Sequence, residues 1–250
     1  MTSLLITNKS DFDMKHHRFE RDGIVSEVFL MDCMDGMKMY PEKYFDLACV
    51  DPPYGINVSK GTWGSSNKGK VTDYGKKYWD KHAPKQHYFL ELNRVSKNQI
   101  VWGANHFISR MPFDSSCWLV WDKLNTGDFA DCELACTSFD TAVRKFMWRW
   151  NGMLQQNMKN KEERIHPTQK PIALYDWIFK NYAQQGQKII DTHLGSGSSR
   201  IAAETAGLHF VGFEIDEEYF NASIERFENH VKQPRLQLEV RELPEQKNLL

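Results

Sequence analysis

One stretch near the C-terminal end restricts the fold more than any other. The apolar run Lys188-Ile-Ile-Asp191 leads straight into Thr-His-Leu-Gly195-Ser-Gly197-Ser-Ser199. A helical pattern over 198–206 follows, then strand-like HFVGFE at 209–214 and a second helical pattern over 217–231. Two strands separated by a helix pair in parallel, with the helix crossing one face of the sheet. The rest of the chain continues the alternation. IVSEVFLM (24–31) and FDLACV (45–50) read as strands, the second ended by Pro-Pro and Gly. A helix opening at Pro84 and running to about Lys97 precedes the strand QIVWGA, and CWLVW (117–121) is a further strand. CELACTSF and VRKFMWRW read as a β-hairpin or paired strands, and helix is expected again from Pro171 to Gln184, with proline in its permitted first turn. The expected class is α/β, with a doubly wound, mainly parallel sheet.

At 250 residues, one domain over 1–250 is expected, with a loosely held tail at 235–250. Hydrophobic residues at 41% and charged ones at 26% exclude a disordered, collagen-like or coiled-coil protein. No run reaches the roughly 18 uncharged apolar residues of a membrane span, so no membrane partner is expected. The N-terminus lacks the order of charge, apolar run and small residues that marks a signal peptide. Cys33, Cys49, Cys117, Cys132 and Cys136 are odd in number, scattered and without a CxxC pair. That usage fits a reduced, cytoplasmic protein with no structural metal.

The net charge of −1 conceals a division along the chain. Residues 55–85 carry seven Lys against two Asp, and residues 141–171 carry seven Lys or Arg against two Glu, so each segment is +5 and the remainder is −11. Lys-rich loops are often only solvated surface. These two are interleaved with Trp63, Tyr74, Tyr78 and Trp79, and with Trp148 and Trp150. Cations for phosphates beside rings on which bases stack point to nucleic acid. Residues 55–82, rich in Gly, Ser, Asn and Lys, read as a long mobile loop.

Three motifs carry chemistry. In Asp191 to Ser199, glycines directly after a strand let backbone N–H groups approach a ligand, and Glu214 ends the next strand where a carboxylate can accept from two ribose hydroxyls. Gly-x-Gly alone often serves only packing. The missing third glycine and the missing Walker lysine favour a nucleoside without a phosphate chain, and S-adenosylmethionine is the obvious such cofactor. The second motif, Asp51-Pro52-Pro53-Tyr54, stands at a strand's C-terminal end. An exocyclic amine on a nucleobase is a poor nucleophile, because its lone pair is delocalised into the ring. The Asp51 carboxylate and the Pro52 carbonyl can each accept one N–H and aim that lone pair at an electrophilic methyl. The prolines fix these acceptors in advance, and Tyr54 offers a flat face to an unstacked base. In the third, His166-Pro-Thr168-Gln169-Lys170-Pro, Thr168 and Gln169 are expected in a first helical turn able to bind a carboxylate, with Lys170 adding charge.

In this order the motifs resemble the β-type amino-methyltransferases of DNA, over about residues 24–230. The resemblance implies a Rossmann-like methyltransferase sheet with a short inserted target-recognition segment, about 141–165. It implies a catalytic loop at Asp51, Pro52, Pro53 and Tyr54. It also implies cofactor contacts from Asp191, His193, Leu194, Gly195, Ser196, Gly197, Ser198, Ser199 and Glu214, from Asp32 and Cys33 near the adenine, and from the HPTQKP segment over the methionine carboxylate. His193 replaces a more usual Phe, and Ser198-Ser199 a common Thr-Thr. Asp51, where many cytosine-N4 enzymes carry Ser, favours adenine N6; carbon-5 methylation would need a cysteine after the proline pair, and none is there. Lys68, Lys70, Lys76, Lys77, Arg144, Trp148 and Arg149 are the candidate contacts to double-stranded DNA. So small a reading surface suggests a homodimer, and a partner restriction endonuclease fits the family. The alternatives are cytosine-N4 or RNA adenine methylation on the same scaffold, or a catalytically silent, nucleotide-responsive DNA-binding protein.

Overall fold

A computed structural model describes residues 15–56, 80–125, 130–151 and 154–233; Lys68, Lys70, Lys76, Lys77 and the 235–250 tail lie outside the described residues. The elements are β1 (His16–Arg21), β2 (Ile24–Leu30), α1 (Cys33–Lys38), β3 (Phe45–Val50), α2 (Gln86–Val95), β4 (Ser96–Trp102), β5 (Trp118–Asp122), β6 (Cys132–Thr137), β7 (Arg144–Met147), β8 (Trp150–Asn151), β9 (Leu154–Gln155), α3 (Ile172–Tyr182), β10 (Lys188–Asp191), α4 (Ser198–Thr205), β11 (His209–Glu214) and α5 (Glu217–Val231). Among the described residues one sheet runs β1-β2-β11-β10-β3-β4-β6-β5-β7, with β8 and β9 as a separate pair. The five strands from β2 to β4 are parallel throughout. Their apolar runs are continuous because both faces are covered. On β3, Leu47 and Cys49 join a core with α3 and α4, while Phe45, Ala48 and Val50 join a second core with α1 and α2.

The order of strands places the functional crevice. From β10 the chain crosses outward to β11, and from β3 it crosses outward the other way to β4. The β3–β10 boundary is therefore a topological switch point, where the loops at the carboxyl ends part and leave room for a ligand. Ile190 pairs with Ala48, which sets Asp191 beside Cys49 and brings Asp51 just beyond.

Two expectations change. CELACTSF and VRKFMWRW do not pair with each other. β6 lies between β4 and β5 and uses both its edges there, so β7 joins the outer edge of β5 in parallel. In addition, β1 forms a hairpin with β2 that the strand reading passed over. Its turn, Asp22-Gly23, has φ of +52° and +78°. An Asp-Gly pair between strands is a direct signal for such a turn, and it was legible in the sequence.

Candidate active site

Asp51 leaves β3 and enters the crevice with its side chain 16% exposed. Both of its oxygens are engaged: Oδ1 accepts from the Tyr54 hydroxyl at 2.7 Å and Oδ2 from Lys170 Nζ at 2.5 Å. Lys170, 3% exposed, also reaches Glu133 Oε2 at 2.9 Å and the Tyr54 hydroxyl at 3.1 Å. An ammonium has three protons, and these three acceptors use them all. Glu133 in turn pairs with Lys123, so the charges alternate from Lys123 through Glu133 and Lys170 to Asp51. Burial raises the Asp51 carboxyl above its ordinary range; Lys170 opposes this and Glu133 adds to it. Burial would also raise Glu133, but Lys170 and Lys123 outweigh it and hold that group at about 2. For Lys170, burial disfavours the charge, yet the two carboxylates outweigh it and its pKa is raised.

The Tyr54 ring is fixed by two further residues. It stacks on His106 at 4.9 Å and 15°. On Gly103, which has φ +68°, a Cβ would fall 2.0 Å from Tyr54 Cε1 and 2.4 Å from Cζ, against the ring's face. Only glycine tolerates that approach and that backbone conformation together.

The second strand end builds the other wall. Asp191 accepts from Ser199 Oγ at 2.5 Å and from the His193 amide at 3.0 Å. Burial holds its carboxyl at about 7, with the charges of Asp51 and Glu214 adding to the shift. Burial also lowers the His193 imidazole to about 4, so at neutral pH it is uncharged. Gly195 and Gly197 carry φ of +50° and +72°, and no side chain caps the start of α4. Leu194 is anchored by its amide to Phe213, while Arg226 holds the Ser196 carbonyl and the Ser198 hydroxyl. Glu214 Oε2 accepts the Gly195 amide and Oε1 those of Ile215 and Asp216. With about four acceptor positions on a carboxylate, one remains for a ribose hydroxyl rather than two. Met31 N–H donates to the Glu214 carbonyl, which sets the β2 end, with Asp32 and Cys33, alongside. The Asp32 carboxylate caps α1 through the Met34 amide, and burial pushes the Cys33 thiol up to about 12.

The HPTQKP segment departs from its expected part. The helix starts at Ile172, after the motif, and its first amide is already taken by the Glu162 carboxylate at 3.1 Å. Gln169 gives its side-chain amide to the turn at Glu163 and Ile165, and Lys170 is directed at Asp51 and Glu133. Lys170 has all three protons engaged, while Gln169 commits one of its two amide protons to the Glu163 carbonyl. Thr168 lies against His166 Nδ1, and the His166 ring packs near Gly195. Of the residues expected to contact DNA, Arg144 and Arg149 are exposed on the β7 side, and Trp148 stacks on Phe146 at 5.9 Å. Trp150 is 7% exposed and donates from its indole to the Gln169 carbonyl, so it is a packing residue rather than a base platform. Glu133, Lys123, Gly103 and His106 went unread in the sequence. The one available signal was a glutamate inside the otherwise apolar CELAC, since a charge in such a strand is seldom buried without a partner. Among the described residues no group of three His, Cys, Asp or Glu is placed to hold a metal ion.

A parallel sheet with Asp-Pro-Pro-Tyr and a glycine-bearing turn meeting at its switch point defines an enzyme site of the methyltransferase class. Residues 75–225 match the N6/N4 DNA methylases, and the chain belongs to that family. It is 27% identical to the type II methyltransferase M2.DpnII of Streptococcus pneumoniae, over 76% of this chain and 85% of that one. It is 23% identical to M2.MboI of Moraxella bovis, over 84% and 90%. Among solved structures it resembles the M1.HpyAVI–SAM complex (TM-score 0.51, 18% identity, 80% of this chain and 99% of that one). It also resembles the cytosine-N4-specific PvuII DNA methyltransferase (0.52, 12%, 82% and 90%). At such identities the structures establish the fold.

Proposed function

We propose that this chain moves a methyl group from S-adenosylmethionine to the exocyclic N6 amine of an adenine flipped out of double-stranded DNA, directly and with no covalent enzyme intermediate. The observation that carries the reading is the Asp51 carboxylate, held by a buried Lys170 at the switch point where the Gly195–Ser199 turn and Glu214 form the facing wall. The facing wall fits the cofactor. Its turn is glycine-bearing, Glu214 keeps one acceptor position, and Asp191 offers a buried carboxylate to a cationic ligand. S-adenosylmethionine supplies, when bound, an electrophilic methyl on a sulfonium.

The protein's own part is to make an amide-like amine nucleophilic. Asp51 Oδ1 accepts one N–H of the target in place of the Tyr54 hydroxyl, and the Pro52 carbonyl accepts the other. Lys170 favours the ionised form of Asp51, the only form that accepts without donating. Tyr54, backed by Gly103, presents a fixed ring to the base. The PvuII likeness means that the fold leaves the target base open; Asp51 in the motif supports adenine. The type II names of both relatives support a companion restriction endonuclease in a bacterial cytoplasm, and the small surface at β7 supports a homodimer on the duplex.

The test is product analysis. The chain is incubated with S-adenosylmethionine and unmethylated DNA or RNA, and the nucleic acid is hydrolysed to nucleosides. N6-methyldeoxyadenosine is the expected product. N4-methyldeoxycytidine or methylated RNA alone would overturn the target assignment, and no product despite DNA binding would favour a silent binding module.

A further inference from the structure

We propose that Glu133 is a positioning residue for methyl transfer: acting through Lys170, it sets how closely the Asp51 carboxylate is drawn to the ammonium and how well it accepts from the target amine. The role rests on the function proposed above, since it is a role toward Asp51. Glu133 stands on β6, the strand inserted antiparallel between β4 and β5, and is separated from Asp51 by the Lys170 ammonium. Its Oε2 lies 2.9 Å from Lys170 Nζ and 3.5 Å from the Tyr54 hydroxyl, while Lys123 holds its other oxygen.

The chemistry follows from sharing one cation between two carboxylates. With Glu133 charged, Lys170 divides its attraction, and Asp51 keeps acceptor strength for an incoming N–H. With Glu133 neutral, Lys170 faces one carboxylate only; the pair tightens, Oδ2 is drawn to Nζ, and the whole carboxylate loses basicity. Lys170 before α3, Glu133 on β6, Tyr54 on Asp51's own loop, Tyr88 on α2, Tyr175 on α3, Asp191 on β10 and Cys49 on β3 are the titratable groups whose charges act on or with Asp51. Within this set Lys170 is the cation, so a change at Glu133 falls mainly on the Lys170–Asp51 pair. The two lysines beside Glu133 keep it ionised at any pH where the enzyme would be assayed.

The experiment uses the full chain, S-adenosylmethionine and unmethylated genomic DNA, with kcat, KM and the pH profile of kcat/KM read for wild type, Glu133→Gln, Glu133→Asp and Lys123→Gln. Glu133→Gln is expected to lower kcat by roughly ten- to a hundred-fold, as for a misplaced catalytic group, with cofactor KM within a few-fold. Its acid limb should move down by roughly one pH unit, because the charge that raises Asp51 is gone. Glu133→Asp keeps the charge and should keep the wild-type limb. Lys123→Gln leaves Glu133 less compensated and should move the limb upward. A residue serving packing alone would change the melting temperature and leave every limb in place; unshifted limbs in Glu133→Gln and Lys123→Gln overturn the inference. If Glu133→Gln does not fold, the Lys123→Gln limb decides alone, and no upward shift overturns it. A wild-type chain that transfers no methyl overturns the underlying function instead, and is told apart by that control.

Discussion

Asp51 concentrates the chemistry in one side chain, and removing it separates catalysis from binding. Asp51→Ala should abolish methyl transfer, a transition-state loss of several kcal/mol, while S-adenosylmethionine affinity by calorimetry stays within a few-fold. Lys170→Met has a different signature. It leaves Asp51 and Glu133 facing each other without their shared cation, so stability should fall by roughly 3–5 kcal/mol in denaturant unfolding. Asp51, already raised by burial, loses the cation that opposes the shift, so its folded pKa stands further above its unfolded value. Stability is then greatest at low pH and lost as pH rises, so the variant should recover part of its loss between pH 8 and pH 5. Asp191 carries the same sign in the wild-type chain: with a folded pKa of about 7 against an ordinary 3.8, its contribution is present at low pH and lost as pH rises through 7. A cationic ligand prefers the ionised form. Cofactor affinity should therefore rise from pH 6 to pH 8 with proton release, read by calorimetry in buffers of different ionisation enthalpy; a flat profile would place the cofactor's charge elsewhere.

At the scale of elements, a carboxylate from the segment just before HPTQKP caps α3. Glu162 accepts the Ile172 amide and pairs with Arg226 of α5 at 2.7 Å, and Arg226 also holds the glycine-bearing turn at Ser196. Glu162→Ala should cost about 1–2 kcal/mol by loss of the cap. Combined with Arg226→Met, the two losses should fall short of their sum, because each removes the same pair. Arg144 on β7, the sheet's last strand, and Arg149 just beyond it are exposed. If they meet phosphates, neutralising both should lower the slope of log affinity against log salt by about 0.9 per contact, and an unchanged slope would remove β7 from the DNA interface. The pairing of β7 itself was not legible in VRKFMWRW. An alternating strand reveals which residues share a face but not which neighbour it joins, and β6 had already used both edges.

For the whole molecule, charge distribution is the quantity that matters, and the structure revises it. Within the second basic segment, Lys170 is turned inward to two carboxylates and Arg164 lies over the Trp150 ring at 4.5 Å. The outward charge of 141–171 is thus smaller than its composition suggests. Neutralising Lys68, Lys70, Lys76 and Lys77 together should weaken DNA binding and flatten its salt dependence without moving cofactor affinity. At the base of that segment, the Gly55 amide donates to the buried Asp80 carboxylate at 2.8 Å, tying its two flanks together.

The sequence alone determined the class of fold, the two motifs that face each other across the crevice, and the parallel core strands. It did so to the residue for β3, β10 and β11 but not for β4, which starts at Ser96 where helix was expected to run on to about Lys97. Those features rest on local physics: apolar period, turn chemistry, and the glycines and prolines that fix a few dihedral angles. Only the tertiary structure decided where Lys170 of HPTQKP is directed, because it meets Asp51 across 119 positions of chain, and it meets Glu133 only once β6 lies beside β4. No periodicity encodes that meeting. It follows from strand order, which fixes which buried charges share a crevice, and a buried charge is tolerated only where partners converge on it.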